Sequence, residues 1–280
     1  GKTRITVNTI QNMCSSGGRV LIVAPSNVCP VWPDEIRKHG HPDLPWDVVD
    51  LARCNGTARR VKEAVIAMLT AAETAILVYI CNYEGVWRGD LGKWILGQQW
   101  DVVVLDESQA VKSPGSAVSR FFSRFHNISK KRICLSGTPL HNSPLDIYGQ
   151  ARFLDPSFFG TSFSNFRARY AVMGGYGGYE VKGYQNQEEF YRNFRRFTFS
   201  VEKDEVLRDI PNMVFTERYC SLSKEEMDVY RVMETAFVAD LDGDLVTAQN
   251  ALVKLLKLQQ ITSGYVRTDD GYDRKVGDSK

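Results

Sequence analysis

The chain has 280 residues, 43% of them hydrophobic and 24% charged, with a formal net charge of +2. This is the composition of a folded chain with a sizeable core, in one large or two modest domains. No apolar run reaches the roughly 18 residues of a membrane span, and Gly1-Lys2-Thr3-Arg4 lacks the apolar segment of a signal peptide.

In chain order, Arg4 to Met13 reads as a helix leading away from Gly1-Lys2-Thr3. Arg19 to Ala24 is a continuous apolar run stopped by Pro25, the pattern of a buried parallel strand. Asn27 to His39 reads as a helix with Pro30 and Pro33 near its first turns. A short strand over Asp47 to Leu51 and a helix over Thr57 to Ala72 follow. Ala75 to Ile80 is a second buried strand and Leu91 to Leu96 a short helix. Trp100 to Asp106 is a third apolar strand, ending in acids. A helix over Ser116 to Phe125, a strand over Arg132 to Leu135 and a helix over Leu145 to Phe153 complete the alternation. Strands joined by helices imply an α/β fold, a parallel sheet with helices on both faces.

After Asp155-Pro156 the texture changes. Residues 157–200 are rich in Phe, Tyr, Arg and Gly without strand rhythm, and residues 174–179 form a Gly-Tyr loop. Glu217 to Ser221 has the look of a strand, and Lys224 to Asp240 and Thr247 to Ile261 that of long amphipathic helices. The polar tail from Thr268 looks frayed or linker-like.

The six cysteines include no C-x-x-C pair, which argues against a zinc ribbon and for buried reduced thiols in an intracellular setting. His39 and His41 sit in a Pro-rich loop without further ligands, a poor metal site.

Three motifs carry chemistry. Gly1-Lys2-Thr3 is the end of a phosphate-binding loop pattern, in which backbone N–H groups and a helix N-terminus hold phosphates. By itself so short a motif is also compatible with chance. Val102 to Glu107 is an apolar strand delivering Asp106 and Glu107 to the sheet edge, a Walker B arrangement. A solvated acidic pair at a strand end fits the same residues. Leu135 to Pro139 places Ser136, Gly137 and Thr138 at another strand end, where small hydroxyls can link the acids to a neighbouring element. An ordinary strand-to-helix turn is the alternative.

The three in this order are far more specific than any one. The chain resembles the N-terminal, RecA-like lobe of the Swi/Snf-type DNA-dependent ATPases of helicase superfamily two. Asp106 to Pro114 resembles that family's extended acid box, and Ser136 to Tyr148 its Ser/Thr-Gly-Thr-Pro box, with Phe153 to Pro156 as its ending. Leu21 to Pro25, with Trp32 and Glu35, resembles a DNA-contacting motif, and Val78 to Glu84 the next one. Phe197 to Pro211 and Leu255 to Tyr265 resemble later family segments. Two departures stand out: Gln109 replaces the usual His, and Ser200-Val201 replace an Arg pair whose neighbour Lys203 is kept.

The resemblance implies a RecA-like lobe over 1–158, a mostly helical extension over 159–266, and a linker or start of a second lobe over 267–280. It implies ATP and Mg²⁺. Gly1, Lys2, Thr3, Ser136 and Thr138 would bind nucleotide, Thr3 and Asp106 the metal. Asp106, Glu107 and Gln109 would be catalytic, Glu107 orienting and deprotonating the attacking water. Double-stranded DNA would be gripped through its backbone, which carries little sequence information, by Ser26, Asn27, Asn82, Tyr83 and Lys112. Turn chemistry alone also favours Ser and Asn at such sites.

Arg192, Arg195 and Arg196, interleaved with Phe190, Tyr191, Phe194 and Phe197, form a basic aromatic stretch of a kind that can bind nucleic acid, but at helical spacing the favoured reading is an aromatic core face beneath a solvated basic face. The partner implied is a second RecA-like lobe of the same chain, absent from these residues along with the front of the phosphate loop. The 280 residues alone are therefore expected to be inactive. The setting favoured is intracellular and cytoplasmic, for a protein of prokaryotic or viral source, rather than nuclear, with no membrane partner. Two rival functions stay open: a DNA-binding or regulatory lobe without ATP turnover, and the motor lobe of a restriction or nuclease-coupled system.

Overall fold

In the computed structural model the described residues are 1–178, 180–201, 214–236, 238–241, 244–247 and 250–278. The chain divides into two compact units, Gly1–Ser200 and Val201–Lys280.

The first unit is built on five parallel strands. These are β1 (Gly18–Ala24), β2 (Trp46–Asp50), β3 (Ile76–Asn82), β4 (Trp100–Asp106) and β5 (Ser129–Leu135), ordered β2-β3-β1-β4-β5. The three central strands are β3, β1 and β4. They are apolar almost without interruption because both faces of the sheet are covered. Alternate residues serve opposite cores. Leu21, Val23, Leu77, Tyr79, Val103 and Leu105 face α3 (Thr57–Thr70), α4 (Gly89–Leu96), α5 (Ala117–Phe122) and α6 (Ile147–Leu154). Val20, Ile22, Val78, Ile80, Val102 and Val104 face α1 (Lys2–Met13) and α2 (Trp32–His39). The edge strands β2 and β5 are only partly buried.

The expected α/β sandwich is thus present. The helix expected over Asn27 to His39 is shorter, a 3-10 turn over Cys29–Val31 followed by α2. Pro30 and Pro33 fall in the first positions of these two segments, where a missing N–H costs nothing.

Residues 159–200 pack with the α/β lobe. Phe166 and Tyr170 of α7 (Phe163–Tyr170) and Phe190 of α8 (Gln187–Arg195) are buried with Ile147 and Tyr148 of α6. Phe159, Phe163, Phe194 and Phe197 join that cluster, while Arg192, Arg195 and Arg196 are exposed. The aromatic stretch is a core face beneath a basic surface. Between α7 and α8 lies an antiparallel hairpin, β6 (Ala171–Gly174) with β7 (Glu180–Tyr184). Residues 175–178 of the Gly-Tyr loop lie at the tip of that hairpin, which strand rhythm did not reveal.

The second unit departs from its expected helical character. Helix α9 (Lys224–Ala236) does not run to Asp240, because β8 (Val238–Leu241) pairs with β9 (Asp244–Thr247). The intervening sequence, Asp-Gly, is a hairpin signal that helical periodicity obscures. Helix α10 (Ala251–Thr262) starts late because the Asn250 side chain accepts the Val253 N–H at 2.9 Å and caps it. Part of the tail is regular: β11 (Asp273–Lys275) pairs with β10 (Tyr265–Arg267). No strand forms over Glu217 to Ser221. Of the resembling segment Phe197 to Pro211, residues from 202 on, Lys203 included, lie outside the described set. Among the described residues no helix is long and apolar enough to cross a membrane.

Candidate functional site

A parallel sheet sends every strand's C-terminal end to one edge. Ala24 pairs with Asn82, and Asp106 with Leu135. The loops after β1, β3, β4 and β5 therefore share one rim, which carries Ser26, Asn82, Asp106-Glu107 and Ser136 to Thr138.

Lys2, in the first turn of α1, reaches this rim. Its Nζ lies 3.2 Å from Glu107 Oε1. No side chain caps the N-terminus of α1, which leaves its first N–H groups for an anion. Thr3 follows, half-buried. A side chain on Gly137 would place its Cβ 3.9 Å from Lys2 Nζ, so the Ser136 turn faces the lysine directly.

The chain reverses sharply after β4. Glu107 adopts a left-handed backbone, φ 50°, a strain of about 1–3 kcal/mol of the kind that clusters at functional sites. Asp106 stays behind in the core, 7% exposed. Its Oδ2 accepts the Trp32 indole N–H at 3.1 Å, and its Oδ1 the Glu107 backbone N–H at 3.0 Å. Tyr83 donates its hydroxyl to the Asp106 carbonyl at 2.8 Å.

Glu107 points outward into a polar chain. Gln109 donates its amide N–H to Glu107 Oε2 at 2.9 Å and accepts the Ser136 hydroxyl at 2.8 Å. The Thr138 backbone N–H in turn donates to Ser136 Oγ at 3.0 Å. Gln109 thus joins the acid box to the Ser136 turn directly.

The two acids differ in electrostatics. Burial raises the Asp106 pKa, against the lowering by the Trp32 hydrogen bond. The Gln109 amide, aided by Lys2, holds the Glu107 carboxyl below its ordinary value. A desolvated carboxylate suits a cation and an ionised exposed one suits a base. The residues present therefore fit magnesium and nucleotide phosphates: Asp106 and Thr3 for the metal, Lys2 and the α1 N–H groups for phosphate.

The expected DNA-side residues divide. Asn82 Nδ2 donates to Ser26 Oγ at 2.9 Å, so these two meet, and Asn27 is exposed beside them. Tyr83 is buried, 6% exposed, with its hydroxyl spent on Asp106. Lys112 is half-buried, 3.8 Å from Asp146 Oδ2. Tyr83 thus serves the protein interior, whereas Lys112 keeps 31% of its side chain exposed beside Asp146.

Three further residues belong to the site. Trp32 holds Asp106. Glu84 accepts the Ser26 hydroxyl at 3.0 Å. Gln150 of α6, 1% exposed, accepts the Ser108 hydroxyl at 2.7 Å and donates to the Pro139 carbonyl at 2.9 Å. Gln150 forms a second, buried strap between the acid box and the Ser136 turn. A lone amide on the apolar face of Ile147 to Phe153 was its available signal. Thiol chemistry has no place here: burial pushes Cys14 up to about 11 and Cys29 to about 12.

The sequence matches the SNF2-related domain family over residues 1–264. It is 26% identical to an uncharacterized ATP-dependent helicase of Mycoplasma genitalium, covering 87% of this chain and 21% of that protein. It is also 26% identical to putative protein p41 of Acyrthosiphon pisum secondary endosymbiont phage 1, covering 96% of this chain and 59% of that protein. The chain thus spans less than two thirds of either relative. A similar solved structure is the Sulfolobus solfataricus SWI2/SNF2 ATPase core in complex with dsDNA, with TM-score 0.58 and 23% identity over 93% of this chain and 51% of that one. With the RecA-like sheet and a motif-bearing rim in place, the chain belongs to the SNF2-related domain family.

Proposed function

We propose that this chain is the nucleotide-holding lobe of an ATP- and Mg²⁺-dependent motor that moves along double-stranded DNA. The observation that carries the reading is the rim itself. Lys2, Glu107, Gln109 and Ser136 are linked in one hydrogen-bonded chain, with Asp106 buried behind it.

Lys2 and Thr3 would bind the terminal phosphates, and Asp106 with Thr3 would hold magnesium. Bound magnesium would neutralise charge on the transferred phosphoryl oxygens. Glu107, ionised and held by Gln109 and Lys2, would orient the attacking water and take its proton. Gln109, Ser136 and Thr138 would transmit nucleotide state to the rest of the lobe. Ser26, Asn27 and Asn82 would contact the DNA backbone, with Lys112 beside the acid box. A second RecA-like lobe of the same protein would close the site. The phage relative supports a prokaryotic or viral cytoplasmic setting.

The test is Glu107→Gln in the full-length protein. DNA-stimulated ATP hydrolysis should fall by about 10²-fold or more, the scale of a lost general base, with nucleotide binding kept. Unchanged hydrolysis would remove Glu107 from the role and the reading with it.

A further inference from the structure

The reading above leaves one arrangement unused. Two buried donors from the two DNA-side elements both end on Asp106. Trp32 opens α2, the helix reached through the Ser26 loop, and its indole N–H meets the carboxylate at 3.1 Å. Tyr83 follows Asn82 at the end of β3, and its hydroxyl meets the main-chain carbonyl at 2.8 Å. Trp32 is 1% and Tyr83 6% exposed.

We propose that Trp32 and Tyr83 are positioning residues through which the DNA-side loops control the placement of Asp106, so that duplex binding sets the competence of the ATP site. The proposal rests on the motor reading and assigns its regulation.

A buried N–H or O–H is costly unless paired, so neither side chain can shift without Asp106 following or a donor being stranded. The loops outside are already coupled. Asn82 donates to Ser26, and Ser26 donates to the exposed carboxylate of Glu84. Glu84 therefore holds a negative charge on the hydroxyl that a DNA phosphate would take. A phosphate arriving there repels Glu84 and claims Ser26. Glu84 is the immediate neighbour of Tyr83, whose ring is held edge-on to Phe122, 6.3 Å between centroids. Movement at Glu84 thus passes to the Tyr83 hydroxyl, and movement of the Ser26 loop to Trp32.

The test uses Tyr83→Phe and Trp32→Phe in the full-length protein. Each removes one donor and keeps an aromatic ring. ATP hydrolysis is measured with and without saturating duplex, across a magnesium titration, and duplex affinity is measured separately without nucleotide. Tyr83→Phe should bind duplex as the wild type does, yet its stimulation by duplex should fall about fivefold, the effect of one lost hydrogen bond. Trp32→Phe should raise the magnesium concentration for half-maximal rate by about the same factor.

A second readout needs no turnover. In ¹⁵N-tryptophan protein without metal or nucleotide, the Trp32 indole N–H resonance, assigned by its loss in Trp32→Phe, should shift when a short duplex is added. Wild-type stimulation in Tyr83→Phe, or an indole resonance indifferent to duplex, overturns the proposal. Should Trp32→Phe fail to fold, the stimulation of Tyr83→Phe by duplex decides it. A wild type with no duplex-stimulated hydrolysis overturns the motor reading itself, a result distinct from a stimulated wild type matched by its variant.

Discussion

Gln150→Leu separates the buried strap from the exposed one. Leucine is similar in size, so the perturbation is chemical rather than steric. It takes the Gln150 acceptor from the fully buried Ser108 hydroxyl, leaving it the weakly accepting Cys134 sulfur, and removes the amide donor to Pro139. An unsatisfied buried hydroxyl costs about 1–3 kcal/mol and a half-exposed carbonyl less. The added apolar contact returns about 1 kcal/mol. The balance is a loss of about 1–3 kcal/mol, which for a unit of this size lowers Tm by about 2–12 °C. Thermal denaturation followed by circular dichroism reads this directly. In steady-state kinetics of the full-length protein, kcat should fall more than KM rises, because the Ser136 turn is loosened relative to the acids while Lys2 is untouched. A Tm within about 1 °C of wild type would show that Ser108 finds another partner and that Gln150 carries no strap.

Three other perturbations probe the same architecture. Gly149→Ala sets a methyl against the Val111 carbonyl oxygen, which is backbone and cannot yield; the variant should lose ~3 kcal/mol or more through overpacking, seen as low soluble yield or a depressed denaturation midpoint. Gln109→Ala removes the main cause of Glu107's lowered pKa, so that pKa rises. The acid limb of the rate profile should then move to higher pH, since the base is ionised only above its pKa. The matching stability term, present above the ordinary glutamate pKa and lost as pH falls through the lowered one, should shrink near neutrality and vanish in acid; an unmoved limb would exclude Glu107 as the titrating base. Lys2→Ala breaks an ion pair whose side chains are 44% and 37% exposed, so Tm should scarcely change while nucleotide binding in a titration is lost.

The sheet and the order of its motifs were legible because burial on both faces writes a strand as an unbroken apolar run. Val20 to Ala24, Ile76 to Cys81 and Val102 to Leu105 show this. The second unit was less legible. Val238 to Thr247 has the periodicity of a helix and the Asp-Gly of a hairpin, and local pattern cannot weigh one against the other. The aromatic run Phe190 to Phe197 was readable as a core face, but its partners on α6 were not.

The candidate site divides the same way. Residues standing at strand ends, Asp106, Glu107 and Ser136, were placed on one rim by parallel topology alone, since parallel strands must all end on the same side. What holds them there was decided only by the folded chain. Trp32 reaches Asp106, Gln150 joins Ser108 to Pro139, and Tyr83 turns inward to a carbonyl instead of outward to DNA. Each of these depends on which groups from distant segments come within hydrogen-bonding distance. A strand's apolar run records that it is buried, but not which donor will meet it in the core.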